Sequence, residues 1–85
     1  MSTKQTVHTV LAEHGKLRVS GDAISDDADL YQLGLTSHAS VNVMLALEDA
    51  FDVEFPNRML RKSTFQSVAN ITAALEELGA EGPAA

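Results

Sequence analysis

Gly34-Leu35-Thr36-Ser37-His38-Ala39-Ser40-Val41-Asn42-Val43-Met44-Leu45-Ala46-Leu47-Glu48-Asp49-Ala50-Phe51 is the stretch that decides the fold. Thr36 and Ser37 are both suited to cap a helix N-terminus. From there the apolar residues recur at helical spacing. At about 100° per residue, Ala39, Val43, Ala46, Leu47, Ala50 and Phe51 share one side, with Met44 at its edge. That arc is wide enough to be a core face. Ser37, His38, Val41, Asn42, Leu45, Glu48 and Asp49 occupy the other side. Most are polar, as solvent demands; Val41 and Leu45 are not. Either neighbouring segments cover these two, or they form the apolar centre of a docking face with a charged rim.

Working outward, Val7, Val10, Leu11 and His14 repeat at helical spacing, and Gly15 stops the pattern. A first helix is expected over 4–14, behind a frayed start at Met1 to Gln5. His14 fits the buried stripe. Residues 16–36 form a long connection of turn formers (Gly21, Asp22, Ser25, Asp26, Asp27, Asp29) and apolar anchors (Leu17, Val19, Ile24, Leu30, Leu33, Leu35). So many anchors predict a packed loop, with a helical turn near Leu30. Pro56 ends the region after Phe51. Arg58 to Lys62 reads as a short basic helix. Ser63 or Thr64 would cap a last helix, with stripe Val68, Ile71, Leu75 and Leu78 and an end at Gly79. Residues 81–85 read as a disordered tail. The fold class is all-α: a small antiparallel four-helix bundle, three helices long and one short, as a single domain over residues 1–80.

The chain has 85 residues, a formal charge of −6, 45% hydrophobic and 5% aromatic residues, and no Cys or Trp. The core must therefore be aliphatic. Disulfides, thiolate metal sites and a cysteine nucleophile are excluded. No Lys or Arg lies between Val19 and Asn57, while eight acids do: Asp22, Asp26, Asp27, Asp29, Glu48, Asp49, Asp52 and Glu54. Such a field opposes nucleic acid and anionic membrane surfaces as partners and favours basic protein surfaces. The longest apolar run, Val43 to Leu47, is far short of the ~20 residues of a membrane span. No signal segment follows Met1, so a cytoplasmic monomer is expected.

Ser37-His38 does not make a hydrolase. Adjacent helix residues do not face each other, and no triad orienter is evident. His8 and His14 lie on different helix faces and do not pair as metal ligands. The acidic loop lacks the later features of a calcium loop. No catalytic and no metal-binding residues are assigned. Taken alone, Ser37 is a plain helix cap worth ~1 kcal/mol.

At Leu33-Gly34, Ser37, Val41 to Leu47, Glu48-Asp49, Phe51-Asp52 and Glu54-Phe55-Pro56, the sequence resembles the acyl carrier proteins. The resemblance spans about Val7 to Leu78. It implies a four-helix fold and 4'-phosphopantetheine, taken from coenzyme A by a phosphopantetheinyl transferase and attached at Ser37. It places Val41, Leu45, Glu48 and Asp49 in the partner-docking face, to which Thr36, His38 and Asn42 also belong by position. Thr36-Ser37-His38 departs from the family's usual Asp-Ser-Leu, and Ala39 and Asn42 stand where acids are usual. The hydroxyl remains. Asp29-Leu30-Tyr31, Gly34 to Ser37, Phe51 to Pro56 and Arg61 to Phe65 look most like the stand-alone aminoacyl carrier proteins. Their partners are seryl-tRNA-synthetase-like amino acid:carrier-protein ligases that load glycine or alanine. Carriers of polyketide, peptide or fatty-acid synthesis, or an unmodified helical adaptor, are the alternatives.

Overall fold

The computed structural model describes residues 3–15, 17 and 24–79. The 81–85 tail, and Val19, Gly21 and Asp22 of the connection, lie outside them. Three helices are present: α1 (Thr3–His14), α2 (Ser37–Phe51) and α3 (Val68–Glu77). Two 3-10 turns, Asn57–Met59 and Lys62–Phe65, separate α2 from α3. No strand occurs among the described residues.

The core forms where the three apolar stripes meet, with α1 packed on both other helices. Val7 and Leu11 of α1, Val43 and Leu47 of α2, and Val68, Ile71 and Leu75 of α3 are fully buried. Leu30 joins them from the connection, with Ile24 and Leu35 beside it. Truncating any of these large side chains to Ala costs about 2–5 kcal/mol. Phe51, Phe55 and Phe65 are all buried, and Phe55 lies edge-on to Phe65 with centroids 5.5 Å apart.

The connection is tied down by its own backbone. Leu30 N–H donates to the Gln66 carbonyl (2.7 Å), and the Asp26 carbonyl accepts from Ala69 N–H (3.0 Å). The second bond satisfies one of the N–H groups that a helix start leaves unpaired. Asp29 accepts from Tyr31 N–H at 3.0 Å and from the Gln66 amide at 3.3 Å. A hydrogen-bonded turn runs from Asp29 to Leu35, as anticipated near Leu30. Gly34 sits in it at φ 114°, a conformation that L side chains rarely adopt. This turn delivers Thr36 and Ser37 to the start of α2.

Four expectations are corrected. The fourth helix is absent from the described residues: the basic stretch lies in the two 3-10 turns, so the count is three. The last helix starts later than Ser63 or Thr64. Gln66 gives its carbonyl to Leu30, and Ser67 is extended (φ −148°, ψ 161°), so no continuous helix can run from 63. Ser67 is the cap, accepting from Asn70 N–H at 3.1 Å. His14 is exposed; the buried position at that end of α1 is Gly15, where a Cβ would lie 2.7 Å from the Leu11 carbonyl oxygen. Residues 3–5 are helical rather than frayed.

Candidate functional site

Thr36 and Ser37 compete for one job at the start of α2, and Thr36 takes it. Thr36 is extended (φ −101°, ψ 166°), and its Oγ1 accepts from Ala39 N–H at 3.0 Å. Ser37 is therefore the first helical residue. Its carbonyl accepts from the Ser40 hydroxyl at 2.8 Å, while its own hydroxyl has no hydrogen-bond partner among the described residues. Ser37 is exposed. A nucleophilic oxygen thus stands free at a helix N-terminus, where unpaired N–H groups and the helix dipole favour negative charge.

The outer side of α2 is open. Val41 is 50% exposed and Leu45 53%, so about half of each side chain stands open to a partner. Thr36, His38 and Asp49 are exposed, and Asn42 is half-buried. His38 makes no contact with the Ser37 hydroxyl that would activate it. Glu48 is half-buried and differs from the other rim residues. Its carboxylate accepts from Phe55 N–H at 2.9 Å. Its carbonyl accepts from the N–H groups of Asp52 and Val53. Asp52 is left-handed there, at φ 53°. Glu48 thus clamps the turn that ends α2.

Two grooves flank this surface. One, of about 540 Å³, separates α1 from α2 beside Leu45 and Asp49, with Glu13 and His14 on its far wall. The other, of about 610 Å³, opens at Thr36 and Ser37. Leu35, Val41, Met44, Leu60 and Phe65 give it apolar walls, and Tyr31, Arg61 and Lys62 complete it. Sequence reasoning did not place these last residues in a site. Among the described residues Leu60 is the third exposed large hydrophobic, 46% exposed. A signal was present: an apolar residue amid Arg58, Arg61 and Lys62, just past a proline. The basic cluster splits in space. Arg58 pairs with Glu77 of α3 at 2.8 Å rather than with α2. Lys62 Nζ lies 4.9 Å from the centroid of the Tyr31 ring.

The family described as "Phosphopantetheine attachment site" matches residues 6–79. An aminoacyl carrier protein of Agrobacterium fabrum is 47% identical over 66 residues, which is 78% of this chain and 80% of that protein. Among solved structures, a chain is similar with TM-score 0.85 and 42% identity, covering 87% of this chain and 99% of that one. It belongs to the crystal structure of an engineered Bradyrhizobium japonicum glycine:[carrier protein] ligase with carrier protein from Agrobacterium tumefaciens and AMP. Another, from the Bradyrhizobium japonicum ligase complexed with glycylated carrier protein, gives TM-score 0.72 at 28% identity, covering 84% and 95%.

The chain belongs to the phosphopantetheine-binding carrier family, whose members bear 4'-phosphopantetheine. Within it, the chain is a homologue of the aminoacyl carrier proteins. No helix among the described residues is long and apolar enough to cross a membrane.

Proposed function

We propose that the protein is a discrete carrier, a single domain over residues 1–80, that bears 4'-phosphopantetheine on Ser37 and holds an amino acid, glycine or alanine, as a thioester. The observation that carries this is the free hydroxyl of Ser37, left unused because Thr36 does the capping. In the transfer, the Ser37 oxygen attacks the pantetheine-side phosphorus of coenzyme A. The bond from that phosphorus to the bridging oxygen breaks, and adenosine 3',5'-bisphosphate leaves with the electron pair. The serine proton passes to a base of the transferase, so the chain is a cosubstrate and not the catalyst. When bound, the arm supplies the thiol that this cysteine-free chain lacks.

The loading partner in this reading is a seryl-tRNA-synthetase-like amino acid:carrier-protein ligase. The Agrobacterium relative and the carrier chains solved with a glycine ligase support it. Val41 and Leu45 form the apolar centre of the docking face, with Thr36, His38, Asn42 and Asp49 around them. Glu48 fixes the end of the helix that presents them. The working form is a cytoplasmic monomer.

Intact-mass measurement after incubation with coenzyme A and a broad-specificity transferase tests the attachment. The expected result is one pantetheinyl addition, lost in Ser37→Ala. No addition, or one that survives Ser37→Ala, refutes it. Incubating the modified chain with ligase, ATP and labelled glycine or alanine tests the cargo. Loading only by long-chain acyl donors would overturn the aminoacyl reading.

A further inference from the structure

We propose that the groove between α1 and α2 is a second protein-binding surface, apart from the groove at Ser37, and that its occupant is a basic amphipathic helix of a partner enzyme. This goes beyond the carrier reading above and is tested without the prosthetic arm.

The groove, of about 540 Å³, has an apolar floor. Val10 of α1 is buried there, and Ala46 and Ala50 of α2 are half-buried. The periodicity of α2 puts both alanines on the core side with Val43, Leu47 and Phe51, yet those three are buried and the alanines are not. Their methyl groups keep the floor low, and the side chains at a helix contact set how closely two helices approach. Leu45, 53% exposed, stands on the α2 wall. Leu45 and Asp49 also belong to the exposed side of α2 that begins at Ser37. The groove therefore continues that face around the flank of α2 and onto α1.

Charge selects the occupant. Glu13 of α1 and Asp49 of α2 are exposed on opposite walls, and no Lys or Arg is among the described residues that line the groove. Asp49 makes no ion pair among the described residues, and Glu13 meets the His14 imidazole at 3.9 Å. Lys4, the cation of α1, is paired with Asp26 at 2.7 Å. It stands nine residues before Glu13, about 14 Å along the helix, while the physiological screening length is about 8 Å. An apolar floor between two such acids fits an aliphatic side chain flanked by Lys or Arg. A helix supplies that arrangement, because residues three and four apart lie about 5–6 Å from one another on one face. An acidic helix would fill the same floor and set like charges against both walls.

The distance from Ser37 gives this contact a use. Ala46 lies nine residues beyond Ser37, about 14 Å along α2. A partner that touches only Val41 and Leu45 can roll about the axis of α2. A second contact on the α1 side removes that freedom. It fixes the direction in which the Ser37 hydroxyl faces the partner and leaves the hydroxyl itself uncovered.

The test titrates the unmodified chain with a synthetic amphipathic helix of about four turns, a Leu stripe flanked by Arg, and follows the nitrogen–proton spectrum. Amides of Val10 to Gly15 and of Asn42 to Ala50 should shift saturably, and those of Leu60 to Phe65 should stay in place. Glu13→Gln should weaken the Kd roughly two- to five-fold, and E13Q/D49N should weaken it further. Both acids are exposed, so folding is not at issue. Glu76→Gln removes the same charge from the exposed side of α3 and should leave the Kd unchanged. About 0.5 M sodium chloride, which shortens the screening length to ~4 Å, should bring wild type to the affinity of E13Q/D49N. The absence of a saturable shift, shifts that spare α1, or equal binding of the same helix with Glu in place of Arg would overturn the proposal. Because the unmodified chain is used, each of these results leaves the attachment at Ser37 to its own mass measurement.

Discussion

Glu48 belongs to a surface that resemblance assigns to partner docking, yet its carboxylate is committed within the chain. Changing it separates the two roles. Its oxygen accepts Phe55 N–H at 2.9 Å, and Phe55 is a buried core residue. A hydrogen bond to a charged acceptor contributes about 1.5–3 kcal/mol, and Glu48→Ala removes it with nothing to replace it. Gln keeps a neutral carbonyl acceptor in the same place, so Glu48→Gln should lose about half as much. For a domain of this size 1 kcal/mol moves the melting temperature by about 4–8 °C. Glu48→Ala should therefore melt roughly 6–24 °C below wild type, with Glu48→Gln between them. Asp49→Asn is the control: Asp49 is exposed, its carboxylate makes no hydrogen bond among the described residues, and its melt should not move. The assay pairs thermal melts by circular dichroism with the KM of the carrier in ligase loading. The clamp predicts a stability loss for Glu48 and a KM effect for Asp49. If Glu48→Ala melts with wild type while its KM rises several-fold, Glu48 is a docking acid and the reasoning is wrong.

Three further predictions rest on single contacts or exposures. Thr72 Oγ1 is buried without a hydrogen-bond partner among the described residues, so Thr72→Val should raise the free energy of unfolding by roughly 1 kcal/mol in a urea titration; a destabilised variant would show that the hydroxyl is satisfied. Val41→Asp and Leu45→Asp should leave stability within about 0.5 kcal/mol, because both residues are half exposed, yet raise the ligase KM at least several-fold. An unchanged KM for both would move the docking face elsewhere. The hydrogen bond from Lys4 holds the Asp26 carboxyl below its ordinary value of 3.8, with His8 adding to the effect. A depressed carboxylate stabilises above its unfolded pKa, and that contribution fades as pH falls through 3.8 toward the folded value. An acid-unfolding titration should then show Asp26→Asn less stable at neutral pH, with its deficit shrinking below about pH 4; a pH-independent difference would assign the loss to something other than the charge.

What the sequence made legible was periodic. α2 could be read face by face, because a 3.6-residue repeat sorts the core from the rest. What it hid depends on contacts that keep no period. Thr36 and Ser37 were equivalent as caps until the backbone placed the extended residue at Thr36. The structural duty of Glu48 was invisible because its partner N–H lies seven residues on, beyond a left-handed turn at Asp52. Arg58 to Lys62 read as a short basic helix, but the chain there breaks between two 3-10 turns, so no helical period grouped Leu60, Arg61 and Lys62 with Ser37. The start of the last helix was misplaced because Gln66 gives its carbonyl to Leu30, thirty-six residues earlier. No local propensity encodes that bond.

The geometry of α2 explains how so short a chain supports both a core and a binding face. Ala39, Val43, Leu47 and Phe51 form one row at four-residue intervals, and all four are buried. Ser37, Val41, Leu45 and Asp49 form a second row at the same interval, and all four are exposed. The rows are offset by two residues, about 200° around the helix, so they lie on opposite sides along their whole length. The exposed row carries a hydroxyl, two aliphatic side chains and an acid over about 18 Å. A partner that reads the apolar pair is thereby placed at a fixed distance from the hydroxyl. Because the row adds almost nothing to the core, its residues can be exchanged for binding without unfolding the domain. A single-residue insertion after Ser37 would undo this. It would turn the hydroxyl by about 100° relative to Val41 and Leu45 and carry it toward the flank of the helix, leaving the buried row intact.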